Sequence, residues 1–357
     1  MNKDERIGLG VLFGGPSGEH EVSIMSARAI WDALDLDRYR PYALPITREG
    51  IWHWISDPED LFELGRVDRD PDGHRLTMIP GPDGGLFAGA QRLEIDVAFP
   101  VLHGPFGEDG SVQGLLEILG LPYVGAGVAS SGVSMDKQLM KALFATAGIS
   151  VVDYICFRGD VGEDEYRSRE RRVAASIGYP CFVKPAALGS SLGITRVESP
   201  DAFDQALRDA HRYGDKVLVE RGVTARELEC SVLGNEVPEV AGPGEVLPAG
   251  SFYDYKSKYF DDRTRLLLPA PVGESVARRA RELSLAAFEA VDARGMARVD
   301  MFYIEGEDRL VVNEINTIPG FTPMSMYPRL WIQRGMSFSG LVDRLIDLAL
   351  EEGDTHD

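Results

Sequence analysis

An α/β fold of more than one domain, opening on a doubly wound parallel sheet, follows from three observations. The chain has 357 residues, enough for two or three domains at roughly 150 residues each. Its first strand candidate, Ile7–Phe13, is a near-continuous apolar run of the kind that parallel sheets bury. Strand-like and helix-like patterns then alternate through the first third, the βαβ rhythm of a parallel sheet.

The elements follow in order. After Ile7–Phe13, helical spacing of Ile24, Ala27, Ile30, Trp31 and Leu34 marks a helix over Ser23–Leu34. Tyr42–Ile46, Ile51–Ile55 and Val97–Val101 read as strands and Ser111–Leu119 as a helix. The Gly/Pro/Asp-rich stretch Asp68–Gly89 reads as a surface loop with a short strand at Leu76–Ile79. The first domain is expected over 1–133. A middle domain, 134–225, should hold a helix at Asp136–Ala147, a strand at Val151–Phe157, a charged helix over Glu163–Ile177 and a strand at Cys181–Lys184. Ser199-Pro200 should then start a helix, with Ser as N-cap, before a strand at Lys216–Glu220. The last domain, 226–357, opens with a strand at Glu227–Leu233. An irregular, mobile stretch is expected at about 242–265; loops of that length are uncommon inside a compact domain and usually functional. A helix at Glu274–Arg294, two strands, a loop and a helix near Phe338–Glu351 complete the chain.

Composition narrows the function. With 44% apolar and 26% charged residues the chain is of ordinary globular type. No apolar run approaches the roughly 18 residues of a membrane helix. Gly14-Gly15-Pro16 cuts the first apolar run short, so no leader is read. The three scattered cysteines, Cys156, Cys181 and Cys230, suit neither a disulfide framework nor a zinc cluster; small core residues in a reducing cytoplasm are expected. A net charge of −20 makes nucleic acid an unfavourable partner. Any anionic substrate must be held by local cations or a metal.

The strongest local signal is a pair of strands, 298–304 and 309–316, each alternating with period two and joined by Glu305–Asp308. A hairpin symmetric about Glu307 puts Asp300 opposite Glu314 and Arg298 opposite Asn316, all on one face. Facing carboxylates repel unless a cation lies between them, and oxygen ligands of this kind suit magnesium. An edge hairpin with a solvated charged face is the alternative. Phe182-Val183-Lys184-Pro185 ends an apolar strand in a lysine, and the small-residue loop 186–193 follows with Ser190 and Ser191. Glycine amides and serine hydroxyls cradle phosphates, although the P-loop spacing is missing. Gly189-Ser190-Ser191-Leu192-Gly193 also matches a hydrolase nucleophile elbow, but Ile194–Val197 reads as a strand where an elbow needs a helix. His20-Glu21 lacks the second histidine of a zinc helix, since position 24 is Ile. Gly8-x-Gly10 lies within a strand, so a dinucleotide site is not supported. Two loops follow parallel strands, where doubly wound sheets bind ligands: 14–23, with Glu19 suited to an ammonium group, and 102–110, with His103. The stretch 251–259 gathers three tyrosines and two lysines, suited to closing over an anion.

These motifs, together with Met135-Asp136-Lys137 and Asn313-Glu314-Ile315-Asn316-Thr317-x-Pro319-Gly320, stand in the order found in the D-alanine–D-alanine ligase family, which the chain resembles over nearly its whole length. The resemblance implies a two-part ATP-grasp fold after the first domain, a homodimer, and ATP-dependent joining of two D-alanines through an acyl phosphate for peptidoglycan synthesis. By match, Lys137, Lys184 and Ser191 hold ATP phosphates, Glu220, Arg221 and Val223 line the adenine, and Glu227 holds the ribose. Asp300, Glu314 and Asn316 hold two magnesium ions, with manganese as a substitute. Arg298 and the Gly320 amide stabilise the tetrahedral oxyanion. Glu19 and His103 belong to the first D-alanine, and Ser325, Met326 and Lys258 to the second. Ser190 and Tyr259 link to Glu19 and lock the mobile loop. Gly222 departs from relatives with a bulkier residue there. Relatives making D-alanyl-D-lactate lack the Lys-Tyr pair, so Lys258-Tyr259 favours D-alanine as acceptor. D-Serine is an alternative, because one hydroxyl is a small discriminator. Another ATP-grasp carboxylate–amine ligase is the broader alternative. A non-catalytic ATP-binding regulator would be expected to have lost a metal ligand or Arg298.

Overall fold

The structure, a computed structural model, describes residues 5–68, 71, 73–159, 161–189, 193–247 and 265–353. The first sheet has the strand order Tyr39–Ile46, Ile7–Gly14, Val97–Pro100, all parallel, and a parallel bridge from Ala98 to Tyr123 extends it. Gly8 and Gly10, which resemble a dinucleotide fingerprint in sequence, serve packing. A Cβ at Gly8 would lie 1.9 Å from the Glu94 carbonyl oxygen, so only glycine lets the two backbones approach this closely. Helix His20–Ala33 lays Ile24, Ala27 and Ile30 on the sheet. The last helix, Phe338–Gly353, joins the same core through Leu341, Val342, Leu345 and Ile346. Tyr39 Oη donates to Asp343 at 2.9 Å across that contact, tying the two ends of the chain together.

The middle sheet is antiparallel, in the order Thr195–Val197, Cys181–Pro185, Lys216–Arg221, Tyr154–Arg158. Helices Glu163–Ser176 and Phe203–His211 cover one face through Tyr166, Val173, Phe203 and Leu207. The third sheet runs Arg265–Leu267, Glu239–Leu247, Arg226–Gly234, Gly295–Ile304, Arg309–Asn316, also antiparallel. Helix Glu274–Ala290 packs on one face through Ala280, Ala287 and Phe288. Helix Met326–Gln333 packs on the other, where Tyr327 Oη donates to the Val232 carbonyl at 3.0 Å.

Several expectations need correction. The stretch expected to be irregular at about 242–265 begins inside strand Glu239–Leu247 and ends in strand Arg265–Leu267; 248–264 lie outside the described residues. The Asp68–Gly89 stretch contributes two strands, His74–Ile79 and Gly85–Ala88, to a small antiparallel sheet. Ser199 makes no side-chain cap; a 3-10 turn, Pro200–Ala202, precedes the helix. Helices Val128–Met135 and Met326–Gln333 were not expected. Cys181 and Cys230 are buried as expected, but Cys156 is half-buried. Among the described residues, no helix is long and apolar enough to cross a membrane.

Candidate active site

The hairpin of the third sheet supplies the centre. Asp300 pairs with Glu314 and Arg298 with Asn316, as the period-two pattern predicts. The register then shifts by one between Asp300 and Met301, so Met301 faces Val312 and Asn313 is the extra residue of a bulge. The 3-10 turn Glu305–Glu307 closes the hairpin, with Asp308 left-handed at φ 44°. Arg298 forms a two-pronged contact with its neighbour on the face: Nε reaches Asp300 Oδ1 at 2.7 Å and Nη2 reaches Oδ2 at 2.6 Å. The same Nε lies 3.0 Å from Glu229 Oε2 on the adjacent strand. Asn316 Nδ2 donates to Asp300 Oδ2 at 3.1 Å.

The cations opposite come from the middle of the chain. Asp136 caps helix Lys137–Thr146 by accepting from Gln138 and Leu139 amides, which fixes Lys137 at the first turn. Lys137 Nζ lies 3.2 Å from Glu314 Oε2 and donates to the Leu188 carbonyl at 3.2 Å. Lys184, buried near the end of its strand, pairs with Glu220 Oε2 at 2.7 Å. Strands Cys181–Pro185 and Lys216–Arg221 are neighbours, which brings these two residues together. Burial lowers the Lys184 ammonium, and Glu220 offsets part of that. For Glu220, burial acts to raise the carboxyl, but Lys141 and Lys184 outweigh it and hold the carboxyl below its ordinary value.

The first domain closes the site. Gly14 and Gly15 turn out of the first strand at φ 91° and 87°, conformations that only glycine adopts freely. Glu19 follows at the N-cap position of helix His20–Ala33 and is buried. His20 is a satisfied core histidine between the Gly15 carbonyl and the Val67 amide. His103 is buried, its Nδ1 3.1 Å from the Ile318 carbonyl. Burial lowers its pKa, so the ring is neutral at pH about 7, with Nδ1 donating to that carbonyl and Nε2 left as the acceptor, 3.5 Å from Ser26 Oγ. Glu108 Oε2 accepts from the Gly104 amide at 2.7 Å. Burial first, and then Glu19, push its carboxyl up to about 8. The fold then holds a proton that the unfolded chain, with an ordinary value of 4.5, has released. Stability should therefore fall as pH rises between those two values. Glu108→Gln is expected to flatten that fall. Urea melts between about pH 5 and 8 check it, and an unchanged slope would mean that Glu108 is ionised in the fold.

Two cavities meet at these residues. A cleft of about 490 Å³ between the middle and third sheets is lined by Lys184, Glu220, Arg221, Val223, Glu227 and Asp300, among others. A smaller one, about 60 Å³, is lined by Glu19, His103, Arg298, Asn316 and Gly320, among others. Lys137, Gly189 and Glu314 line both, so the two adjoin. The larger is of ordinary small-molecule size. Of the expected site residues, Ser325 and Met326 do not line either cavity. Ser325 Oγ bonds with Thr322 Oγ1 at 2.9 Å, and the Met326 side chain lies in the core. Ser190, Ser191, Lys258 and Tyr259 lie outside the described residues. Gly222 has a packing reason: a Cβ there would sit 2.7 Å from the Pro180 carbonyl oxygen. Sequence reasoning gave no role to Glu108 or Lys141. Glu108 lies inside a quoted motif, and Lys141 follows Lys137 by one helical turn.

The donor set bears on a metal. No group of three carboxylate, histidine or cysteine ligands converges among the described residues. Two facing carboxylates and one amide form a partial shell, which fits magnesium, an ion that keeps waters and substrate phosphates as its other ligands. Asp300 and Glu314 are here faced by Arg298 and Lys137, so the pair does draw positive charge.

Comparison with known proteins identifies the family. A family model described as "D-ala D-ala ligase N-terminus" matches residues 8–126, and one described as "D-ala D-ala ligase C-terminus" matches residues 143–347. The D-alanine--D-alanine ligase of Thermoanaerobacter sp. (strain X514) is 46% identical over 356 residues, covering 97% of each chain. Among solved structures, the D-alanine-D-alanine ligase from Coxiella burnetii superposes with a TM-score of 0.85 at 36% identity, covering 99% of this chain and 96% of that one. The VanG D-Ala:D-Ser ligase from Enterococcus faecalis gives a TM-score of 0.88 at 33% identity, over 96% and 99% of the two chains.

Proposed function

The chain belongs to the D-alanine–D-alanine ligase family, and from that membership we infer that it joins two D-alanines at the cost of ATP, in the service of peptidoglycan synthesis. The observation that carries the reading at this site is the junction of a nucleotide-sized cleft with a small polar cavity at Lys137 and Glu314. In this reading ATP lies in the larger cleft and the amino acids in the smaller. The γ-phosphate passes to the first D-alanine's carboxylate, the second amine attacks the acyl phosphate, and phosphate leaves.

The chemistry asks the protein for position and charge rather than covalent help. Lys137 and Lys184 draw the phosphates, and the wall from Glu220 to Glu227 holds the nucleoside. Asp300, Glu314 and Asn316 would hold magnesium, which neutralises phosphate charge when bound. Arg298 faces the small cavity with its guanidinium fixed by two carboxylates, as stabilisation of a tetrahedral oxyanion needs. Glu19 suits the first ammonium group. Neutral His103, held between the Ile318 carbonyl and Ser26, borders the first D-alanine from the wall of the small cavity. Ser190, Ser191, Lys258 and Tyr259 are proposed, on the resemblance alone, to close the site, and Ser325 and Met326 to border the second D-alanine. Division at about 133 and 225, a homodimer and a cytoplasmic location complete the proposal.

The test is product identification after incubation with ATP, magnesium and D-alanine, with excess D-serine or D-lactate in parallel. D-Alanyl-D-alanine with ADP and phosphate is the expected outcome, with no depsipeptide. ADP without dipeptide would move the substrate elsewhere within the ATP-grasp class. A mixed D-alanyl-D-serine product would align the acceptor pocket with that of the VanG relative.

A further inference from the structure

Lys141 is a lysine with no exposed side chain, and neither cavity is lined by it. It sits one helical turn beyond Lys137, among Met140, Phe144 and the Tyr154 ring, whose centroid lies 5.8 Å from Nζ. An ion here is costly unless it is paired. Its counter-ion is Glu220: Lys141 Nζ lies 3.1 Å from Oε1, while Lys184 Nζ lies 2.7 Å from Oε2. Two ammonium groups therefore share one carboxylate. Lys184 and Glu220 face the cleft, and Lys141 stands behind them.

The charge arithmetic gives this arrangement a consequence. Without Lys141, Lys184 and Glu220 form a neutral pair with little attraction left for an anion. With it, the trio carries one net positive charge. Lys141 cannot reach a ligand itself, so the surplus is expressed through Lys184, the member open to the cleft. We propose that Lys141 is a positioning residue that occupies one oxygen of Glu220 and so frees the charge of Lys184 for the phosphates of a nucleotide. The proposal rests on the nucleotide reading of the cleft.

The test compares ATP with adenosine, which lacks phosphates, by calorimetric titration on the full chain. Lys141→Met should weaken ATP binding about tenfold or more, the scale of one partly screened charge interaction. Adenosine binding should be unchanged, and the salt dependence of ATP binding should be shallower. Lys141→Gln removes the charge but keeps a polar end, one atom shorter, and should give the same ATP-selective loss should the methionine variant not fold. Equal weakening of ATP and adenosine would mean that Lys141 only supports the wall, and would overturn the proposal, as would unchanged ATP affinity. Failure of the unaltered chain to bind ATP would overturn the nucleotide reading itself, and the proposal with it.

Discussion

Replacing Glu314 with alanine is expected to lower kcat for dipeptide formation by on the order of 10³-fold or more. Glu314 borders both cavities, faces Asp300 across the hairpin and lies 3.2 Å from Lys137 Nζ. One substitution thus removes a proposed magnesium ligand and the partner of a lysine proposed to draw the phosphates. The fold should persist, because the change also removes one of two like charges opposed in a ladder, and Lys137 keeps the Leu188 carbonyl. Glu314→Gln separates charge from shape: it retains a side-chain oxygen toward Lys137 and loses the anion. If the carboxylate acts by holding magnesium, glutamine should be nearly as inactive as alanine, and raising magnesium should recover part of the rate. Turnover measured across a magnesium series, beside thermal melts, reads both. Normal turnover in either variant would sink the metal assignment.

The legible parts of this site are those where periodicity and turn length leave one solution. Period two and a short turn allow only one register that puts Asp300, Glu314, Arg298 and Asn316 on one face, and that register occurs at the site end of the hairpin. The bulge at Asn313 left no mark in the pattern, because it costs one residue in strands already apolar on one face. Strand Glu239–Leu247 was hidden for the opposite reason. Gly242-Pro243-Gly244 reads as a break, yet Gly242 and Pro243 together oppose the single residue Cys230, the kind of bulge where a sheet tolerates proline. Helix Val128–Met135 is rich in serine and contains Gly132, so propensity argues against it. Packing against helices Ser111–Ile118 and Lys137–Thr146 and strand Arg309–Asn316 holds it instead, and Ser131 Oγ adds a local bond to the Ala126 carbonyl just before the helix. Met326–Gln333 carries Pro328 in its first turn, where proline is tolerated, and buries Tyr327 and Trp331. Lys141 and Glu108 were invisible as functional groups because charge in a sequence reads as surface. Only the fold shows that Glu220 receives Lys141 in the interior and that the Gly104 amide holds Glu108 at the wall of the small cavity. The lysines and carboxylates of the cleft come from widely separated stretches of chain, so no local pattern brings them together; the ordered set of motifs does, through family resemblance.

Arg298 offers the sharpest separation of stability from chemistry. Its guanidinium spans Glu229 and Asp300 and is only 13% exposed. Arg298→Met removes the cation that both carboxylates share, and breaking a buried ion pair from one side costs about 3–5 kcal/mol. Turnover should fall by on the order of 10³-fold, the scale of losing one preorganised oxyanion donor. Arg298→Lys tells the two losses apart. A lysine returns the positive charge and should recover much of the stability. It cannot reproduce the planar fork that grips both Asp300 oxygens while Nε stays on Glu229. Without that grip the cation has no fixed direction toward the small cavity, and preorganised direction is what oxyanion stabilisation requires. The expected result is a lysine variant close to the parent in denaturant midpoint yet nearly as slow as the methionine variant, read from urea melts and dipeptide formation on the same preparations. Were lysine to restore turnover in step with stability, Arg298 would be acting as a charge alone, and the oxyanion role would fall to Gly320 and the phosphate-facing lysines.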